Sequence, residues 1–157
     1  MLTGDMLRRA AHRFPDKAAI LSNETALSYR ALDAAANRLA HALIARKLPR
    51  QAKIGMLSRN RPEYGVVFFG VAKSGCVLVN VSVLYAPDEL VFVLDKADVE
   101  VLLFEDAFAE KVAAVRAKLP RIETYVAIGA SKLGAPTLGE FIAGHSAEEP
   151  EVPLGED

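Results

Sequence analysis

Residues 59–90 read R-N-R-P-E-Y-G-V-V-F-F-G-V-A-K-S-G-C-V-L-V-N-V-S-V-L-Y-A-P-D-E-L, and this stretch decides the fold. Asn60, with Pro62 in the first turn and Glu63 three residues on, has the spacing of a capping box. We therefore predict that Asn60 caps a helix. Gly75 supplies the left-handed turn that ends this helix, and a continuous apolar strand and a second helix, which begins at proline, follow it.

Short apolar runs alternate with amphipathic helices along the rest of the chain. The four runs that we predict as strands are Lys53–Leu57, Cys76–Val81, Glu100–Phe104 and Tyr125–Ile128. Strands separated by helices form parallel sheets that are covered on both faces. The sequence therefore predicts an α/β fold, a three-layer αβα arrangement with a mainly parallel sheet. A small hairpin around Ser22 is expected apart from that sheet or at its edge, and Ser28 is expected to cap the helix that follows.

The composition excludes several classes of protein. The 157 residues carry a net charge of −1, so no basic excess exists to attract nucleic acid or an anionic membrane. The single cysteine rules out an internal disulfide and fits a reducing compartment. The longest apolar stretch, 65–72, is too short to span a bilayer, and charges interrupt the N-terminus where a signal peptide needs an apolar core. We expect a soluble, cytoplasmic protein without a transmembrane segment.

Two features of the sequence can be interpreted either as functional or as purely structural. Residues 70–75, G-V-A-K-S-G, superficially resemble a phosphate loop. That loop needs Gly-Lys-Ser/Thr after its second glycine, so the end of a helix is the favoured interpretation. Cys76 has no nearby histidine and no cluster of lysines or arginines in sequence that would lower its pKa, so a buried structural thiol is favoured over a nucleophile.

Paired acids and isolated histidines carry no predicted chemistry. Asp88-Glu89 and Glu105-Asp106 are interpreted as acids that favour helix starts rather than as acid–base pairs. The three histidines lie singly on different elements, so we predict no metal site from them: His12, His41 and His145.

Four motifs together resemble the N-terminal part of the AMP-forming acyl- and aryl-CoA synthetases. They are FPDKAAI at 14–20, LSYRAL at 27–32, AKSG at 72–75 and VNVSVLY at 79–85. The last motif is similar to V-N-V-N-P-L-Y of long- and medium-chain fatty acyl-CoA ligases, with Val83 in place of the proline. The resemblance covers nearly the whole chain and implies a ligase for an apolar acid.

The loop after the predicted strand 76–81 carries the site residues that the resemblance suggests. Ser82, Leu84 and Tyr85 follow the carboxyl end of this strand, where open α/β sheets place ligand crevices. In the resembled enzymes this loop lies near the entrance for CoA and the acyl group, and Leu84 replaces an arginine that many aryl-CoA ligases carry. The alternative is a loop that merely connects strand to helix.

The chemistry of the resembled enzymes depends on motifs that residues 1–157 do not contain. The phosphate loop Y-T-S-G-T-T-G-x-P-K-G, the ribose-binding aspartate and the C-terminal lysine are absent from the sequence. We therefore expect residues 1–147 to form an N-terminal subdomain, and 148–157 an acidic, proline-containing tail without fixed structure that leads towards the phosphate loop. ATP, Mg²⁺ and CoA would serve the whole ligase, and no cofactor is expected for this chain.

Three hypotheses remain open at this stage. The first is the N-terminal segment of a ligase, inactive alone, whose partner is the remainder of the enzyme, and reading the DNA beyond Asp157 would test it. The second is a free-standing α/β module that binds a ligand without turnover. The third is a self-assembling module, because removing the rest of a ligase would expose apolar side chains. Those side chains are Phe68, Phe69, Val83 and Tyr85.

Overall fold

The computed structural model describes residues 2–23 and 25–152. These residues form two compact units. The first combines the chain up to Arg50 with Asn60–Cys76 and the stretch from Ile142, and the second combines Gln51–Arg59 with Val77–Phe141. The sequence-predicted residues 153–157 of the tail lie outside the described residues.

The first unit contains three helices and a hairpin. They are α1 (Thr3–Arg13), β1 (Ala18–Leu21), β2 (Ala26–Ser28), α2 (Tyr29–Ala45) and α3 (Pro62–Lys73). The two strands pair antiparallel and form a sheet of their own, as the sequence predicts for the hairpin around Ser22. The predicted cap of α2 is also confirmed, because the Ser28 hydroxyl accepts a hydrogen bond of 3.2 Å from the Ala31 amide.

The start of α3 differs from the prediction. The residue that caps it is Arg61, in extended conformation, and no side chain caps the helix. The proposed cap at Asn60 is therefore wrong. Pro62 explains the difference, because its ring fixes the φ of the first helical position and keeps the residue before it out of the helical region. The predicted end is confirmed: α3 ends at Lys73, and Gly75 has φ +78°.

Helices α2 and α3 approach each other closely at one glycine. A Cβ atom added at Gly70 would lie 2.8 Å from the Cβ of Leu39, well inside ordinary contact distance. Leu39 is fully buried, as are its neighbours on the same stripe of α2, Leu32 and Leu43. Gly70 therefore permits the close packing that buries the apolar face of α2.

The second unit is built on a four-stranded parallel sheet. Its elements are β3 (Lys53–Leu57), β4 (Val77–Asn80), α4 (Pro87–Lys96), β5 (Val99–Glu105), α5 (Ala109–Val115, flanked by two 3₁₀ turns), β6 (Thr124–Ile128) and α6 (Leu138–Ile142). The strand order is β4-β3-β5-β6, and all three pairs are parallel. The predicted α/β fold with four parallel strands is confirmed, and each strand begins and ends within one residue of its predicted bounds.

The central strands of this sheet are buried on both faces. Leu102 and Phe104 of β5 lie in a core cluster with Leu90 and Leu94 of α4. Leu103, which points to the opposite face, is equally buried. Continuous apolar strands such as LLF need this environment, because period-2 alternation gives each face half of the side chains.

Strand β4 is less buried than its sequence predicts. Its burial follows the order exposed, partly buried, partly buried, exposed, and Val77 is 39% exposed. Cys76 directly precedes the strand and is half-buried. Its interpretation as a structural thiol rather than a nucleophile stays a prediction, but the predicted burial of that thiol is only partial. The reason is that β4 lies at the edge of the sheet, where one strand neighbour is missing among the described residues.

The beginning of the predicted tail is fixed on the first unit. The Asn37 side chain donates a hydrogen bond of 2.9 Å to the carbonyl of Ala147, and Lys73 forms an ion pair with Glu149. Pro150 is buried. The expectation that the chain lacks fixed structure from residue 148 is therefore wrong for its first residues. Within residues 2–23 and 25–152 no helix is both long enough and apolar enough to cross a membrane.

Candidate functional site

The order of the strands defines a switch point in the second unit. From β3 the chain passes to β4 on one side, and the next strand, β5, pairs with β3 on the other side. In open parallel sheets the crevice beside the carboxyl ends at such a point is the usual place for a ligand. The residues at this edge of the sheet are therefore the candidate site, which we call the carboxyl edge. They are Ser58, Arg59, Ser82–Tyr85, Glu105, Asp106, Phe108, Lys111, Gly129 and Ala130.

A buried carboxylate lies at the switch point itself. Glu105, the last residue of β5, is 2% exposed. It accepts hydrogen bonds from the backbone amide of Arg59 at 2.9 Å and from its Nε at 3.1 Å. The Ser58 hydroxyl lies 3.4 Å from the same carboxylate. Glu105 does precede a helical turn, 106–108, as predicted, but its side chain makes no cap hydrogen bond and binds Arg59 instead.

Arg59 is held in place but faces solvent. Its side chain is 62% exposed, whereas that of Glu105 is 3% exposed. The hydrogen bonds and charge of Glu105 raise the pKa of Arg59 above its usual value. An arginine is already charged at neutral pH, so the pair gives the switch point an oriented cation.

The turn after β6 depends on a glycine and an aspartate. The Asp106 carboxylate accepts a hydrogen bond of 2.8 Å from the Ala130 amide. Gly129 has φ +101°, and a Cβ atom there would lie 2.6 Å from a carboxylate oxygen of Asp106. Only glycine satisfies both the backbone conformation and the close approach. This contact fixes the end of β6 beside the end of β5.

The three residues predicted from the sequence lie in the loop after β4. The Ser82 hydroxyl accepts a hydrogen bond of 3.2 Å from the Leu84 amide, which closes a tight turn. Leu84 is 88% exposed. Tyr85 is partly buried, and it packs, as does Val83, against the core of the second unit. The loop therefore presents Leu84 outward from a turn that its neighbours hold.

A lysine from α5 holds this loop. The Nζ atom of Lys111 donates hydrogen bonds to the carbonyl oxygens of Val83 at 2.7 Å and Tyr85 at 2.8 Å. The same ammonium lies 5.8 Å from the centre of the Phe108 ring, and the guanidinium of Arg59 lies 5.6 Å from it. The Phe108 ring thus lies near both Lys111, which holds the loop, and Arg59, which lies at the switch point.

Sequence reasoning found the loop and missed the residues that hold it. Arg59 and Glu105 had a signal in the sequence, because each is a charged residue at or just beyond the carboxyl end of a strand in a parallel sheet. Lys111 had none, because it lies mid-helix and its partners are 26 and 28 residues away. The predicted residues and these three, with Phe108, lie at one edge of the sheet.

A second concavity lies in the first unit. It is a groove of about 480 Å³ lined by Arg8, Ala11, His12, Pro15, Arg30, Asp33, Ala34 and Ala147. The two arginines each form an ion pair with an acid, Arg8 with Asp5 and Arg30 with Asp16. The groove therefore presents no unbalanced positive charge, and we assign no ligand to it.

The carboxyl edge offers hydrogen-bond donors and an apolar side chain rather than a reaction centre. Its charged groups are ion-paired or hydrogen-bonded to backbone, and its two serine hydroxyls bond to neighbouring backbone. Within residues 2–23 and 25–152 no group of three or more His, Cys, Asp or Glu side chains is arranged to hold a metal ion. This arrangement suits the rim of a binding site.

The chain matches the family model of the AMP-binding enzymes over residues 7–156. It is 33% identical, over 155 residues, to the medium/long-chain-fatty-acid–CoA/3-oxocholest-4-en-26-oate–CoA ligase of Mycobacterium tuberculosis, covering 97% of this chain and 28% of the relative. The N-terminal domain of FACL13 from Mycobacterium tuberculosis superposes with a TM-score of 0.87 at 27% identity, covering 99% of this chain and 39% of that one.

The anthranilate CoA ligase AuaEII, solved with anthranoyl-AMP, shares the fold with a TM-score of 0.89 at 23% identity. This match covers 94% of the present chain and 29% of the ligase. The protein is a member of the AMP-binding enzyme family, since the family model spans almost all of it. The chain spans about 28% of the length of the mycobacterial ligase it matches.

Proposed function

We propose that this chain supplies the N-terminal part of an ATP-dependent acyl-CoA ligase that acts on a medium- or long-chain fatty acid. One observation carries the proposal: 97% of the chain aligns at 33% identity with a medium/long-chain-fatty-acid–CoA ligase. The likeness to the N-terminal domain of FACL13 supports the position within the enzyme. In this proposal residues 1–147 form the N-terminal subdomain, and residues 148–157 lead towards the phosphate loop.

The reaction of the whole enzyme would have two steps. The fatty carboxylate attacks the α-phosphate of ATP, which releases pyrophosphate and leaves an acyl adenylate. The thiol of CoA then attacks the acyl carbon, which forms the thioester and releases AMP. ATP, Mg²⁺ and CoA therefore belong to the whole ligase. In the proposal residues 1–157 do not adenylate by themselves, because the motifs that bind phosphate and complete the charge stabilisation are not among them.

The role proposed for this part of the enzyme is to form the rim through which the acyl chain and CoA enter. Ser82, Leu84 and Tyr85 would form that rim, with Leu84 as the apolar contact. Its support is the position of the loop at the carboxyl edge and the 88% exposure of Leu84, an apolar side chain on a turn that Lys111 holds.

Two assays test the proposal. Residues 1–157 alone should show no exchange of pyrophosphate into ATP with fatty or aromatic acids, and sustained exchange by the pure chain would refute the proposed inactivity. In the second assay, residues 1–157 replace the corresponding part of the mycobacterial fatty-acid ligase. Release of AMP that depends on both a fatty acid and CoA supports the proposal. A folded chimera that adenylates no fatty acid, beside an active parent ligase, would contradict it.

The sequence also predicts self-association and a cytoplasmic location, and both stay predictions. Phe68 is 42% exposed, whereas Phe69, Val83 and Tyr85 are partly buried. Among these residues and the loop 82–85, the exposed apolar side chains are Phe68 in the first unit and, separately, Leu84 in the second. Each would contribute to pairing only through the apolar area that a second copy removes from water, roughly 25 cal/mol per Å².

A further inference from the structure

A buried ammonium lies in the first unit and takes no part in the proposed rim. Lys73, the last residue of α3, is 2% exposed. Its Nζ atom donates to the Asp33 carboxylate at 2.8 Å, to the Asn37 side-chain oxygen at 2.7 Å and to the Glu149 carboxylate at 2.5 Å. Three donors thus meet three acceptors, which is the condition under which a charged lysine is stable when buried.

The three acceptors come from two distant parts of the sequence. Asp33 and Asn37 are one turn apart on α2, whereas Glu149 lies 76 residues beyond Lys73. The lysine is therefore bonded at once to a helix and to the stretch 147–150, which we call the strap.

Two further hydrogen bonds hold the strap to the same helix. The Asn37 amide donates to the Ala147 carbonyl at 2.9 Å. The Nε2 atom of His41 lies 3.0 Å from the Glu148 carbonyl oxygen, a bond that requires a proton on Nε2. Asn37 and His41 are one turn apart, so α2 presents a row of donors along the strap. Pro150 at the end of the strap is buried.

The position of the ammonium is enforced by packing. A Cβ atom added at Gly4 of α1 would lie 2.8 Å from the Cγ of Lys73. The aliphatic stem of the lysine is thus enclosed by α1, and its side chain is 1% exposed. Glu149 is 36% exposed on the same measure. Detachment of the strap would therefore expose Glu149 to solvent and leave the Lys73 side chain enclosed by α1.

We propose that Lys73 is a positioning residue whose buried ammonium locks the strap onto α2 and thereby fixes the direction in which the chain leaves this unit. Without the cation, the carboxylates of Asp33 and Glu149 would face each other and repel, so the strap would detach. The consequence for the phosphate loop, which the family places after this stretch, rests on the proposed function; the lock itself does not.

Hydrogen exchange of the 157-residue chain, followed by mass spectrometry, tests the lock. In Lys73→Met, which keeps an unbranched stem of similar length, we expect the peptide that covers 146–152, in which the Glu148 amide donates to the Ser146 hydroxyl at 3.1 Å, to exchange at least about tenfold faster than in the wild type. Glu149→Gln should accelerate the same amides by a smaller factor and leave α2 and α3 unchanged. Glu148→Gln is the matched control, because its side chain forms no hydrogen bond or ion pair among the described residues, and its rates should equal those of the wild type.

The double variant Lys73→Met/Glu149→Gln distinguishes a lock from a general structural role. If the ion pair holds the strap, the double variant exchanges no faster than Lys73→Met alone, because the partner is already lost. Additive acceleration, equal acceleration throughout α2 and α3, or rates within twofold of the wild type would each overturn the proposal. If Lys73→Met does not fold, Glu149→Gln against Glu148→Gln decides the matter. The adenylation assays do not depend on this outcome, so the two proposals can fail separately.

Discussion

Replacing Lys111 tests whether the proposed rim is held by α5. Lys111→Met keeps the stem against Phe108 and removes the ammonium that donates to the Val83 and Tyr85 carbonyls at 2.7 and 2.8 Å. A hydrogen bond to a charged group contributes about 1.5–3 kcal/mol. Both bonds share one ammonium, and water can reach the freed carbonyls. The free energy of opening of the loop should therefore fall by about 1.5–2 kcal/mol.

Hydrogen exchange of the peptide that covers residues 81–86 measures this change. Its reporter amides are those of Leu84 and Tyr85, which donate to Ser82. A loss of about 1.5–2 kcal/mol corresponds to exchange that is roughly 10–30 times faster. Lys118→Met is the matched control, because Lys118 forms a surface pair of 3.4 Å with Asp88, in which both side chains are mostly exposed. Equal exchange rates in wild type, Lys111→Met and Lys118→Met would show that the Lys111 ammonium does not stabilise the loop.

Three further outcomes are expected. Gly70→Ala should lower the free energy of unfolding by about 2 kcal/mol in urea titrations, because the overlap with Leu39 exceeds the gain in helix propensity. Gly139→Ala should not destabilise the protein, because its Cβ would meet only the Thr137 Oγ1 atom, at an ordinary 3.9 Å. Burial raises the pKa of Tyr125, against a weaker opposite effect of Arg116. Stability is therefore full below the ordinary tyrosine value and falls as the pH rises past it, and Tyr125→Phe should flatten this alkaline loss in thermal melts. Light scattering over a dilution series should give a mass above that of one chain, and a strictly monomeric mass at high concentration would contradict the predicted pairing.

The strands were predictable because their signal is local. Runs such as Ile54–Leu57 and Leu102–Phe104 are apolar without interruption, and only burial on both faces satisfies such a run. The hairpin and the Ser28 cap also depend on residues a few positions apart. The degree of burial of β4 was not predictable, because its position at the edge of the sheet depends on how distant strands pair and not on its own residues.

The residues of the carboxyl edge were harder to predict because their partners are distant. Glu105 follows an apolar run, which is also where an acid would favour the start of the next helix. Its actual partner, Arg59, lies 46 residues earlier and reaches it through the parallel register of β3 and β5. The prediction of the residue that caps α3 was wrong for a local reason. Asn60 has a side chain suited to capping, but the fixed φ of Pro62 places the first helical position at residue 62 and makes Arg61 the preceding cap residue.

The two edges of the parallel sheet differ in what they offer to another strand. At β6 the Ala127 amide already donates to the Pro136 carbonyl at 2.8 Å, and Ala127 forms a parallel bridge with Thr137. At β4 no strand of the described residues pairs with the outer side. The segment V-L-V-N also lacks the lysine or proline with which natural edges prevent extension. The β4 edge is thus the more open of the two to a further strand. Such a strand would be bound through main-chain hydrogen bonds, whatever its side chains are.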